Sequence, residues 1–245
     1  MASLAVVILT LNEKENIQEC IKTASFADEV LVVDSGSNDG TQDIACSLGA
    51  RVVERPMDEN GFAGQRNFAL AQTEMEWVFY LDADERLTSD AANELQAIVE
   101  KGIPAAWEIR RINYVMGKEM RHGAHCPDWS LRLYPRDSVQ WKGTVHEQAL
   151  ITVPARRMRA CMHHYTYADW ESYFQKFNRY TTIAAESLHA RGKRATLFKT
   201  MLDPLFTVFK MYILKAGFLD GWFGWVMSVM AGFYTFVKYL KLRQL

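Results

Sequence analysis

The chain has 245 residues, 49% of them hydrophobic, with 28 basic against 29 acidic side chains and a net charge of -1. This much apolar and aromatic content excludes a disordered chain, and the balanced charge argues against a nucleic-acid binder, which carries a basic excess. The length suits one large domain, or a domain with an appendage. Leu4 to Thr10 is a continuous apolar, β-branched run, as expected of a strand buried on both faces of a parallel sheet. A polar helix is predicted from about Glu15 to Ser25, and a second strand over Glu29–Val33. That strand breaks at the dense turn signal Asp34-Ser35-Gly36-Ser37-Asn38-Asp39-Gly40. A helix over about Thr41–Leu48 is expected to stop at Gly49. Then follow a short strand at Arg51–Glu54, a helix at Gly64–Gln72 and a strand at Trp77–Leu81. Alternation at this spacing predicts an α/β fold with a mostly parallel sheet and helices on both faces.

After Trp107 short strand-like pieces, Trp107–Arg110 and Ser130–Tyr134, mix with loops rich in His, Gly, Pro and Trp. Residues 169–195 read as helix. The segment 197–245 has another composition and divides the chain into a domain at 1–196 and a helical tail at 197–245. Gly221 to Val237 carries no charge, and Lys210, Lys215, Lys238, Lys241 and Arg243 lie outside it. Its 17 residues barely reach the roughly 17–25 that span a bilayer. Trp222, Phe223, Trp225 and Tyr234 are types that favour the membrane interface, and the flanking cations suit anionic headgroups. The expected arrangement is therefore in-plane on a membrane surface, with a helical hairpin closing the core or forming a dimer, or a true span, as the alternatives.

The four cysteines, Cys20, Cys46, Cys126 and Cys161, form no CxxC pair and read as thiols of a reducing compartment. No basic segment precedes Leu4–Leu11, and Asn12-Glu13 ends that run, so the chain is expected in the cytoplasm, peripheral on the inner membrane face.

In open α/β sheets ligands bind beyond the carboxyl ends of the strands. Polar clusters sit there: Thr10 to Glu13, with Asn12, then Asp34 to Asp39, then Asp82 to Glu85. In Asp82-Ala83-Asp84 two carboxylates follow an apolar strand, the arrangement by which Mg2+ or Mn2+ is held together with substrate phosphate oxygens. The plain alternative is a solvated turn with Asp84 or Thr88 capping the next helix. Asp34 suits hydrogen bonds from a base or ribose, or an Asx-turn that builds its own loop. Arg66 is a candidate diphosphate partner, or else a surface arginine on a helix. Asp128 is a candidate general base and Glu147 a second one, while His146 is a candidate further ligand of the cation. There is no GxGxxG after the first strand, no GxxxxGK[ST] and no GxSxG, which disfavours dehydrogenase, P-loop and α/β-hydrolase readings. His122, His125, Cys126, His163 and His164 have no closing partner at zinc spacing.

The motifs Val7–Glu13, Val32–Thr41 and Leu81–Glu85, in that order, resemble family 2 glycosyltransferases. Pro127–Tyr134, Val145-His146-Glu147 and Gly217–Gly221 are similar to a bacterial subgroup that includes glucosyltransferases of the lipopolysaccharide inner core. The resemblance implies a GT-A (Rossmann-like) fold and an inverting transfer of a hexose, glucose by the subgroup. The donor it implies is a nucleotide sugar such as a UDP-sugar, and the acceptor a lipopolysaccharide-core or other glycolipid. It also implies a nucleotide contact at Asp34 with Arg66 nearby, and a metal contact at Asp84. The family's base usually stands in a Glu-Asp pair; here the place reads Pro127-Asp128, so Asp128 and Glu147 both stay open as the base. A nucleotidyltransferase would also use paired carboxylates and a metal, but Thr10–Glu13 lacks the positive charge its phosphate loop needs. A non-catalytic sugar- or membrane-binding scaffold is the remaining alternative.

Overall fold

A computed structural model describes residues 2–59, 61–143 and 148–245, with only the backbone of His125. The elements in chain order are β1 (Leu4–Thr10), α1 (Lys14–Ala24), β2 (Glu29–Asp34), α2 (Thr41–Ser47), β3 (Arg51–Glu54), α3 (Gly61–Gln72), β4 (Trp77–Asp82), β5 (Glu85–Leu87) and α4 (Ser89–Lys101). They continue as β6 (Ala106–Val115), β7 (Lys118–Met120), β8 (Asp128–Pro135), β9 (Val139–Lys142), β10 (Gln148–Ile151), β11 (Ala155–Tyr167), α5 (Trp170–Ala190), α6 (Leu197–Phe209) and α7 (Gly221–Gln244). The chain forms two compact units: residues 1–111 with 129–164, and residues 112–128 with 165–245.

The first unit is built on a sheet in the order β3-β2-β1-β4-β8-β6-β11-β5, with β9-β10 as a separate hairpin. Its first four strands are parallel, as the alternation predicts. Beyond β4 the sheet turns antiparallel at β8, and β5 pairs antiparallel with β11. The alternating side chains of β1 explain its unbroken apolar run. Leu4, Val6 and Ile8 enter a core with α1, α2 and α4, and Val7 enters another with α3 and Trp141. Each such side chain, fully buried, is worth about 1.5–3 kcal/mol relative to exposure. The helices stop where the sequence allows it. Gly49 (φ 82) and Gly102 (φ 61) follow α2 and α4 in the left-handed region. Thr88 caps α4 by accepting from the Ala91 amide at 3.1 Å. The capping alternative thus falls to Thr88, not Asp84.

The second unit holds α5, α6 and α7. Asp169 and Ser172 form a reciprocal capping box at the start of α5. A π-helical turn, Lys210–Leu214, follows α6. Only glycine fits at two places on α7, one against α6 and one against the segment just before α7. A Cβ on Gly232 would meet Val208 Cγ2 at 2.5 Å, and one on Gly224 would overlap the Gly217 carbonyl oxygen. Gly224, Met227, Ser228 and Gly232 of the uncharged run are buried, while Trp222, Trp225, Val229 and Phe233 are exposed. Among the described residues no helix is long and apolar enough to cross a membrane. All four cysteines are free thiols, Cys20 buried and Cys46 exposed.

Candidate active site

Strand order places three of the polar clusters side by side. β1 lies between β2 and β4 in parallel register, with Thr10 opposite Asp34 and Leu9 opposite Asp82. The carboxyl ends of the three strands therefore form one rim.

On one side of that rim Asp34 is fully buried and accepts five hydrogen bonds. The donors are the Thr10 hydroxyl (2.7 Å), the Gly36 and Ser37 amides (3.0 and 2.7 Å), the Ser37 hydroxyl (2.6 Å) and Gln42 Nε2 (2.7 Å). Both of its oxygens are thus engaged in building the loop 34–41, the Asx-turn alternative read from the sequence. Burial alone pushes this carboxyl up, but the bonds from Ser37, Thr10 and Gln42 outweigh it and the net direction is down. Asn12 (φ 56) ties the β1 end to the same loop. Its amide donates to Ser37 Oγ at 2.8 Å and its Oδ1 accepts from the Asn38 amide at 3.0 Å. The Glu13 amide donates to Thr41 Oγ1 at 2.9 Å, and its carboxylate accepts from Asn16 Nδ2 at 2.9 Å.

One prediction follows from Asp34. A carboxyl depressed in the folded state stabilises the protein above its unfolded value, near 3.8, and loses that contribution as pH falls through the folded value. Asp34→Asn should therefore lower stability at neutral pH by about 1.5–3 kcal/mol, the range for bonds to a charged group. The deficit should shrink toward acid in urea unfolding followed against pH. A constant deficit contradicts the reading.

On the other side of the rim Asp82 ends β4 inside a charged network. Arg132 Nη2 bonds both Asp82 Oδ2 and Glu85 Oε1 at 2.6 Å. Arg66 Nη2 stands 3.5 Å from Asp82 Oδ1, and Arg111 Nη1 3.2 Å from Glu85 Oε1. The Asp82 amide donates to Glu85 Oε2 at 2.9 Å. Burial pushes the Asp82 carboxyl up, but Arg132, Arg66 and Arg111 overcome it and hold it well below the carboxylate range. Glu85, fully buried, is pushed up by burial and by the Asp82 charge, against the opposing pull of Arg132 and Arg111. Arg66 is no surface arginine: it is 7% exposed, with its guanidinium 4.6 Å from the centre of the Trp141 ring and 5.0 Å from that of Tyr80. An open cleft of about 540 Å3 is lined by Arg66, Asp82, Arg111, Arg132, Tyr134 and Trp141. Three guanidiniums, those of Arg66, Arg111 and Arg132, thus line one cleft beside the Asp82 carboxylate.

Asp84, two residues on, pairs with His164 Nε2 at 3.6 Å. A magnesium or manganese ion commonly rests on one or two carboxylates completed by substrate phosphates, and Asp84 fits such a donor set. Among the described residues no three His, Cys, Asp or Glu side chains cluster as a metal cage. His146 and Glu147 lie outside the described residues. In the second unit Asp128 opens β8 and accepts from Asn113 Nδ2 at 2.9 Å, while Asn113 Oδ1 accepts from the Thr166 hydroxyl at 3.3 Å. His122 pairs with Asp220 at 2.9 Å.

The model of glycosyl transferase family 2 matches residues 5–158, which contain this whole rim. The chain belongs to that family. As a family 2 glycosyltransferase with a GT-A-type parallel rim, it is a sugar-transferring enzyme, and the nucleotidyltransferase reading falls away. It is 26% identical to an uncharacterized glycosyltransferase of Rickettsia typhi, over 100% of this chain and 88% of that one. It is 28% identical to the lipopolysaccharide core biosynthesis glycosyltransferase LpsC of Rhizobium meliloti, over 98% of this chain and 92% of that protein. Among solved structures it is similar to glucosyl-3-phosphoglycerate synthase of Mycobacterium tuberculosis, crystallised with Mn2+, UDP and glucosyl-3-phosphoglycerate. That match is 26% identical, covers 46% of this chain and 44% of the other, and has a TM-score of 0.35.

Sequence reasoning missed several members of this glycosyltransferase's network. Arg132 and Arg111 were unremarked as site residues, and Glu85 and His164 were noted without these partners. Glu85 follows the Asp82-Ala83-Asp84 motif directly and ends the same polar cluster, a signal that could have included it. The others come from β6, β8 and β11, far away in the chain.

Proposed function

We propose that this enzyme moves a hexose, glucose in the first instance, from a UDP-sugar to a hydroxyl of a lipopolysaccharide-core or related cell-envelope glycan, with inversion. The observation that carries the donor reading is the cluster of Arg66, Arg111 and Arg132 around Asp82 and Glu85 in an open cleft. Guanidiniums lining a cleft suit a nucleoside diphosphate, and held fixed there they need no reorganisation as charge builds on the leaving group. The similarity to LpsC supports the acceptor class.

In this reading Thr10, Asn12, Glu13 and the loop ordered by Asp34 form the wall for the base and ribose. Asp82 holds the arginines in place, and Asp84, with His146, holds Mg2+ or Mn2+. The cation, when bound, neutralises charge on the departing diphosphate. Asp128, fixed by Asn113, takes the acceptor's proton as the hydroxyl oxygen attacks the anomeric carbon opposite the diphosphate; Glu147 is the second candidate. The transfer machinery lies within residues 1–196. Residues 197–245 serve attachment to the cytoplasmic face of the membrane, where a glycolipid acceptor resides.

The test is to compare Asp128→Asn and Glu147→Gln in sugar transfer and in nucleotide binding. Asp128→Asn should bind nucleotide normally and transfer about 10²–10⁴ times more slowly, the usual cost of one positioned base. Wild-type transfer by Asp128→Asn together with loss in Glu147→Gln would exchange the two roles.

A further inference from the structure

We propose that the exposed face of α6, with the π-helical turn after it, lies in the plane of an anionic lipid surface and is the element that attaches the enzyme there. This deepens the membrane location proposed above and rests on it. In α6 Leu197, Phe198, Met201, Leu205, Phe206 and Phe209 are each at least half exposed. Ile213 and Leu214 extend the face into the turn, at 46% and 63% exposure. Only Thr200 and Pro204 of α6 are buried, on the side turned toward α7. Water contact at so many large apolar side chains on one short helix marks a surface built to be covered. At 1.5 Å per residue α6 is about 20 Å long, enough to lie along a bilayer but not to cross it.

Charge decides what covers it. The exposed charged residues from 191 to 219 are Arg191, Lys193, Arg194, Lys199, Lys210 and Lys215, all basic. The one acid in that stretch, Asp203, is half-buried and accepts from the Tyr239 hydroxyl at 2.8 Å. Cations thus stand at both ends of the apolar face. A second copy of the chain docked symmetrically on it would bring cations against cations at each end. An anionic leaflet receives the apolar side chains in its acyl boundary and the cations among its headgroups. The uncharged run of α7 presents fewer such side chains, Trp222 at 75%, Phe233 at 45%, Trp225 at 39% and Val229 at 38% exposure, and buries Gly224, Met227, Ser228 and Gly232 within the unit.

The experiment is flotation of the full-length protein with vesicles of phosphatidylcholine alone and of phosphatidylcholine mixed with phosphatidylglycerol. Wild type should float with the anionic vesicles and much less with the neutral ones. Leu205→Glu combined with Phe206→Glu should lower partition roughly 100-fold or more, from the loss of two buried apolar side chains. Lys199→Ala, Lys210→Ala and Lys215→Ala should each lower it about fivefold. Leu240→Glu, on α7, should float like wild type. Donor hydrolysis and the urea midpoint should be unchanged in all of them, because the positions already face solvent. If wild type does not bind anionic vesicles, the membrane location itself is wrong. If wild type binds and the α6 double variant binds equally, the location stands and the assignment to α6 is overturned. A dimer that the α6 variant splits, with vesicle binding unaltered, overturns it in favour of a second copy.

Discussion

Replacing Arg132 by leucine is expected to destabilise the protein by about 3–5 kcal/mol, the cost of removing one partner from a buried ion pair. Arg132 is 4% exposed and holds both Asp82 and Glu85, so its loss leaves a fully buried glutamate beside a second carboxylate. Arg111 still reaches Glu85 and Arg66 still reaches Asp82, but at 3.2 and 3.5 Å instead of 2.6 Å. The variant's deficit should shrink as pH is lowered from neutral. Burial already raises the Glu85 carboxyl, and without Arg132 it rises further. A group raised in the folded state costs stability while ionised, and that cost is relieved as pH falls through the folded value. Arg132→Lys keeps the charge but not the fork that reaches two carboxylates, and should fall between the two. Urea unfolding across pH checks this; a leucine variant as stable as wild type refutes it.

The second large effect is expected at Asp84. Asp84→Asn should reduce sugar transfer at least about 10³-fold, because several kcal/mol of stabilisation of the leaving diphosphate depend on the cation proposed to rest on it. Its unfolding midpoint should fall less than that of Asp82→Asn, since its pair with His164, at 3.6 Å, is longer than the 2.6 Å pair of Asp82 with Arg132. Asp82→Asn should behave differently, losing stability as well as rate, because Asp82 neutralises buried Arg132. The contrast separates two carboxylates that are only two positions apart. Equal effects of the two substitutions on stability and rate contradict the division of roles.

The parallel half of the fold was legible because its signals are local. The strand read at Leu4–Thr10 and that at Arg51–Glu54 have those bounds in the structure, and Gly49 ends α2 as expected. The helix read from Gly64 begins at Gly61, since glycines at 61 and 64 hide a helical start behind poor propensity. The helix read over 169–195 ends at Ala190, with Gly192 (φ 67) just beyond it. Asp34 and Asp82 could be placed at a shared rim because their strands flank β1 in the parallel part of the sheet. Arg132 could not be placed there. It meets Asp82 and Glu85 across 50 and 47 residues, through antiparallel pairing that leaves no periodic signal. Arg66 was ambiguous for a related reason: its burial depends on Trp141, 75 residues away on β9. Within the tail the sequence pattern did not rank the helices: the larger exposed apolar face is on α6, and four residues of the charge-free run on α7 are buried.

The most direct measurement of the central claim is a donor-hydrolysis screen of the purified full-length enzyme with UDP-, GDP-, ADP- and dTDP-sugars, each with manganese and with excess chelator. The account predicts release of nucleoside diphosphate from a UDP-hexose in the presence of manganese, its loss on chelation, and its loss in Asp84→Asn with manganese restored. Hydrolysis that proceeds unchanged in chelator, or in Asp84→Asn, would contradict it.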